Sequence, residues 1–142
     1  MDVPEAFTRM PFADDVGIEL TQAAGGNAAG RLTLEERHSS SRERVVAHGG
    51  VAYALADTVG AAAVLSINDF VTPTVDMRMD YLAPVTADGT EMRATAEVLS
   101  DGDSVATVEV TVTDDDGETV ATARGTYKTG GGGGETAWGG DG

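Results

Sequence analysis

The chain has 142 residues with 24 Asp plus Glu against 9 Lys plus Arg, a formal net charge of −15, and no cysteine. That length makes one domain able to bury roughly two-thirds of its unfolded surface, and 41% hydrophobic residues are enough for a core. The lack of cysteine excludes disulfides, thiolate nucleophiles and Cys-rich zinc sites, and the acid excess argues against nucleic acid, which needs clustered Lys and Arg.

The N-terminal stretch MDVPEAFTRM carries neither a basic region nor an apolar run, so no secretory signal and a cytoplasmic protein are expected. Residues 4–12 suit a short helix with Phe7, Met10 and Phe12 as its apolar patch. Residues 16–20 and 31–35 then alternate apolar with polar around Gly25-Gly26-Asn27, which predicts a hairpin. His38 to Arg44 is polar and reads as a loop. Residues 50–66, GVAYALADTVGAAAVLS, hold one charge, Asp57, and no proline. A helix apolar around nearly its whole circumference belongs inside a protein. Gly60 weakens it by about 1 kcal/mol relative to Ala, which suggests that something approaches closely there. No run reaches the roughly 20 apolar residues of a membrane span.

From Thr72 onward the pattern is strand. Thr74 to Leu82 alternates and ends at Ala83-Pro84. In Glu91 to Val98, Met92, Ala94, Ala96 and Val98 share one face. Asp101-Gly102 and Asp116-Gly117 give turns around the alternating Ala106, Val108, Val110 and Val112, and Thr119 to Lys128 completes the sheet. The expected fold class is α+β: a long central helix wrapped by a strongly curved antiparallel sheet, formed as a meander. Residues 1–128 make the domain, and the Gly-rich 129–142 is expected to be a disordered tail. The acids are spread through the patterned segments, as at Glu35-Glu36, Asp76, Asp80, Glu97 and 114–116. This fits a surface adapted to concentrated salt, where the Debye length shrinks to roughly 3 Å at 1 M; an ordinary acidic protein is the alternative.

His48-Gly49-Gly50-Val51-Ala52-Tyr53-Ala54-Leu55-Ala56-Asp57-Thr58-Val59-Gly60 resembles the HGG-x4-L-x-D-x2-G signature of the PaaI-type hotdog acyl-CoA thioesterases. Residues 73–84, with the end Tyr81-Leu82-Ala83-Pro84, resemble the strand that follows the central helix in that family. The likeness spans roughly residues 12–128. It implies a hotdog fold and hydrolysis of an acyl- or aryl-acyl-CoA, with coenzyme A entering only as part of the substrate. No metal or other cofactor is implied, and His48 with scattered carboxylates forms no ligand cluster. A non-catalytic acyl-CoA-binding module is the alternative.

The chemistry can also be argued from the residues. A thioester under attack develops negative charge on its carbonyl oxygen and needs preorganised donors. The first N–H groups of a helix have no intrahelical partners and sit at the positive end of its dipole. Gly49 and Gly50 present such groups without obstruction, so the Gly49 N–H is the candidate oxyanion donor, with Gly50 beside the substrate; a simple tight turn is the other reading. His48 can orient the thioester, brace the helix start, or act as a base, and the resemblance favours the first two. Asp57, a lone carboxylate in an apolar helix, must be paired or functional. It can attack the thioester carbon or activate water. Thr74 stands where the family carries a Ser or Thr that assists the acid, though a β-branched strand residue is also ordinary there.

Nine residues separate His48 from Asp57, roughly 13 Å along a helix, so one thioester can hardly touch both from one chain. Antiparallel helices across a two-fold would join one subunit's helix start to its partner's Asp57. The resemblance implies this arrangement, a homodimer as the minimal unit and commonly a homotetramer. Family members commonly carry Asn six residues before the motif's His, where this chain has Arg42 after Ser39-Ser40-Ser41. Either a serine such as Ser41 substitutes or the substrate or mechanism has shifted; Arg42 and Arg44 can instead meet a CoA phosphate, and a surface cluster with Glu43 is the plainer reading.

Overall fold

The computed structural model describes residues 3–8, 10–68 and 73–129. Two short helices, α1 (Val3–Thr8) and α2 (Pro11–Val16), replace the single helix expected over 4–12. Pro11 opens the second, because proline suits the first turn of a helix and disfavours helical backbone just before it. The hairpin follows as β1 (Glu19–Ala24) and β2 (Asn27–Thr33), turned at Gly25 and Gly26, both at positive φ. A short 3-10 turn over Glu36–His38 leads through the loop to the central helix α3 (Gly49–Asn68). Strands β3 (Thr74–Tyr81), β4 (Glu91–Asp101), β5 (Val105–Thr113) and β6 (Thr119–Lys128) complete the chain.

One six-stranded sheet results, in the order β1-β2-β4-β5-β6-β3, with every adjacent pair antiparallel. The meander holds for β4, β5 and β6. β3 departs from it: it pairs with β6 at the edge, while β4 crosses over to β2. This is the hotdog fold, a curved sheet around a long helix. The inward faces of the strands carry small or branched residues, such as Ala94 and Ala96 on β4, Val108 and Val110 on β5, and Ala121 and Ala123 on β6, all buried. Small side chains let the sheet approach the helix, whose Leu55, Val59, Ala62, Ala63 and Val64 are fully buried. At the closest point Gly30 of β2 faces Val59, and a Cβ there would lie 2.7 Å from a Val59 methyl.

At 20 residues and a mean hydropathy of 1.6, α3 is long and apolar enough by composition to cross a membrane, which corrects the sequence reading that no run is. Its apolar sides are instead covered: 56% of that window is buried inside the protein, as expected of a core helix. Thr129, assigned to the tail by sequence, is buried and donates to Gly102 O at 2.9 Å. The remainder of the expected tail, 130–142, lies outside the described residues.

Candidate active site

The start of α3 is organised by His48. Its Nδ1 accepts the Gly50 N–H at 2.8 Å, so the ring caps its own helix and Nδ1 carries no proton. The His48 N–H donates to His38 O at 2.8 Å, and the Val51 N–H returns to His48 O at 2.9 Å. The Gly50 N–H is therefore engaged. Among the described residues the Gly49 N–H has no partner, and Gly49 is exposed. From the end of β3, the Tyr81 hydroxyl donates to Gly49 O at 2.7 Å, which fixes the orientation of that peptide. Partial burial, and then the neighbouring Tyr53, raise the Tyr81 phenol above its ordinary ionisation range.

Two cavities flank this helix start, and His48 lines both. One, of about 360 Å³, runs between the helix start and the sheet against Gly49, Ala52, Tyr81, Val85, Met92 and Val120. The other, of about 340 Å³, lies under α2 against Phe12, Val16, Ser39, Gly50, Val51 and Ala54. Asp57 lines neither.

Asp57 is half-buried, on the strip of α3 that the sheet leaves uncovered with Tyr53, Ala54 and Ala61. Its Oδ1 accepts the Thr74 hydroxyl at 2.6 Å and the Tyr127 hydroxyl at 3.2 Å; Tyr127 also lies 3.0 Å from Asp57 O. Thr74 and Tyr127 are partners across β3 and β6. A bulge between Thr74 and Asp76 shifts the register there. Plain alternation would put Thr74 on the outer face with Asp76, Arg78 and Asp80; the extra residue, Val75, turns Thr74 inward instead, the kind of re-aiming that bulges perform. Tyr127 is fully buried. Burial, then the negative charge of Asp57 and the hydrogen bond to it, push the phenol far above its ordinary ionisation range, so it remains a donor. Gly60, one turn beyond Asp57, makes room: a Cβ there would lie 2.4 Å from the Tyr127 oxygen. Sequence reading does not single out Tyr127, although alternation through Ala121, Ala123 and Gly125 places it on the inward face as the one residue with a polar tip.

The loop before the helix is held by serine. The Ser39 hydroxyl shares its one proton between the carbonyls of Ser41 and Arg44, and its Oγ accepts from the N–H groups of Ser41 and Val46. Ser41 is occupied with Glu43, its hydroxyl 3.0 Å from the carboxylate. Arg42 and Arg44 are exposed and, among the described residues, make no ion pair, whereas Arg31, Arg37, Arg78, Arg93 and Arg124 all do. None of Ser41, Arg42 or Arg44 lines either cavity. His38 is buried, with Nδ1 accepting the Glu35 N–H and Nε2 at 2.6 Å from Val16 O, a structural role.

Residues 46–121, more than half of the chain, match the thioesterase superfamily. No curated protein matches the chain in sequence. Among solved structures, one from the thioesterase superfamily is 30% identical with a TM-score of 0.81, over 89% of this chain and 94% of its own. A mutant of the phenylacetic acid degradation protein PaaI from Thermus thermophilus is 29% identical with a TM-score of 0.76, over 84% of this chain and 99% of its own. Zebrafish thioesterase superfamily member 2 is 27% identical with a TM-score of 0.77, over 90% and 94% respectively. An exposed helix start with a free N–H, a carboxylate on the same helix and the hotdog sheet around both agree with these matches: the chain belongs to the thioesterase superfamily, and its general chemistry is thioester hydrolysis.

Proposed function

We propose that the protein hydrolyses acyl- or aryl-acyl-CoA thioesters to the free acid and CoA, at sites shared between two subunits. The observation that carries this reading is the carboxylate of Asp57, held at one oxygen by Thr74 and Tyr127 on an otherwise apolar helix. In the water route, Asp57 takes a proton from water while the oxygen adds to the thioester carbon. The carbonyl oxygen becomes an oxyanion at the partner's Gly49 N–H, where the helix dipole favours negative charge. Collapse breaks the carbon–sulfur bond, and the CoA thiolate takes back the proton from Asp57. In the alternative, Asp57 attacks the thioester carbon itself and expels the CoA thiolate to leave a mixed anhydride; water then cleaves the anhydride, which frees the acid and Asp57 and leaves a proton for the thiolate. His48 holds the helix start and orients the thioester, Gly50 leaves the approach open, and the exposed Arg42 and Arg44, beside Ser41, receive CoA phosphates.

Sharing is supported by the edge position of β3, a strand that among the described residues pairs on one side only, a state that folded proteins seldom leave open. Val75, Tyr81 and Leu82 on or beside it are each more than half exposed, next to the uncovered strip of α3. A second copy placed edge to edge across a two-fold would cover both and bring Asp57 to the other helix start; dimers then pair into tetramers.

A thiol-release screen across acetyl, medium-chain and arylacetyl CoA esters in molar KCl tests the reading. Turnover of at least one ester is expected, and Asp57→Asn should lower it by orders of magnitude while ligand binding persists. Binding without turnover of any ester would instead mark a sensor, and an Asp57→Asn variant as active as the parent would remove Asp57 from the chemistry.

A further inference from the structure

We infer that Tyr127 is a positioning residue for Asp57, and that pinning Oδ1 leaves Oδ2 as the oxygen that takes up the proton or attacks the thioester; the inference rests on the reading of Asp57 given above. Both donors converge on Oδ1, Thr74 at 2.6 Å and Tyr127 at 3.2 Å, and no described residue bonds Oδ2. A carboxylate held at one oxygen loses rotamer freedom and presents the other at a fixed angle, which is the geometric requirement for a reacting group. The phenol has one proton to share between Asp57 O at 3.0 Å and Oδ1. It therefore ties the side chain to the helix backbone as well as to β6.

Three features show a built arrangement. Tyr127 is 0% exposed, so it acts through Asp57 and touches no substrate. Gly60 supplies the notch its hydroxyl needs. The bulge after Thr74 brings the second donor to the same oxygen from the paired position on β3. Nothing in the motif that contains Asp57 encodes Tyr127, which comes from 70 residues further along.

Tyr127→Phe tests this. A hydrogen bond to a carboxylate favours its charged form, so losing one raises the pH at which Asp57 takes up a proton. Loss of the fixed oxygen lowers kcat by about tenfold, KM stays within about twofold because the phenol is remote from substrate, and the acid limb of the rate profile moves to higher pH. Unchanged kcat with an unchanged acid limb overturns the proposal, as does a parallel loss in kcat and KM with the limb fixed. The carboxyl 13C resonance of Asp57, followed through a pH titration, reads the same hydrogen bond without turnover. If the parent hydrolyses esters and the titration is identical in Tyr127→Phe, the positioning role fails and the thioesterase reading stands. If no ester is hydrolysed yet the titration moves up, the reading fails and the hydrogen bond stands. Should Tyr127→Phe not fold, 3-fluorotyrosine installed at position 127, a stronger donor of the same shape, must move the limb to lower pH.

Discussion

Gly60→Ala is the perturbation whose size the structure fixes best. In an open helix this change stabilises by about 1 kcal/mol. Here the new methyl would lie 2.4 Å from the Tyr127 oxygen, closer than real contacts allow, and a tight 3.2 Å from its Cζ. Tyr127 is fully buried between the sheet and the helix, so overpacking costs about 1–3 kcal/mol. Displacing the phenol also removes its hydrogen bond to the Asp57 carboxylate, worth about 1.5–3 kcal/mol. The net expectation is a loss of roughly 1.5–5 kcal/mol, or about 5–17 °C in Tm for a domain of this size. In a Tyr127→Phe background the oxygen is gone, the nearest contact relaxes to the ring carbon, and no hydrogen bond is left to lose. Gly60→Ala should then cost about 1 kcal/mol or less, so the double-mutant cycle shows a coupling of about 2 kcal/mol. Equilibrium urea unfolding at one fixed subunit and KCl concentration measures it. Additivity within about 0.5 kcal/mol would show that the glycine is not there for the phenol.

Alkaline stability gives a second test. Because the folded state raises Tyr127 above its ordinary value of 10.0, the folded state keeps a proton that the unfolded state releases. Its contribution is complete below pH 10 and is lost as pH rises beyond it, at about 1.4 kcal/mol per unit; Tyr127→Phe should flatten that slope in urea unfolding between pH 10 and 11. With a net charge of −15, Tm should rise with KCl up to molar concentrations as self-repulsion is screened, and a Tm insensitive to salt would remove the salt-adapted reading. Thr74→Val keeps the branched strand shape but deletes the 2.6 Å donor to Asp57; kcat should fall by about ten- to a hundredfold, with Thr74→Ser recovering most of it, and a fully active valine variant would exclude the hydroxyl from the site.

Much of this architecture is legible in the residues because it is local. The all-round apolar segment 50–66 announces a core helix, and alternation locates β4, β5 and β6 within a few residues. Strand neighbours are not legible: alternation says which face is buried, not which strand lies alongside, so it offers β3 to the meander although β3 pairs with β6 at the edge. The site divides in the same way. Gly49 and Asp57 stand out from helix-end physics and from one charge in an apolar run. Tyr127 depends on a contact across 70 residues, and the inward turn of Thr74 depends on a bulge that no alternation pattern can show. Pro11 splits the first helix by a rule visible in the sequence, where the apolar spacing of Phe7, Met10 and Phe12 points to one continuous helix instead.

The sharing of one site between two subunits is tested most directly by mixing inactive variants. Gly49→Pro removes the proposed oxyanion donor at the first helical position of α3, where proline is well tolerated, and should lower kcat by about 10²–10³-fold. Asp57→Asn removes the acid. When equal amounts of the two are unfolded and refolded together, random pairing makes about half of the dimers mixed, and each mixed dimer holds one intact site under two-fold symmetry. Thiol release should therefore return to about a quarter of the parental rate. A mixture no more active than its two components would contradict the shared site and return the chemistry to a single chain.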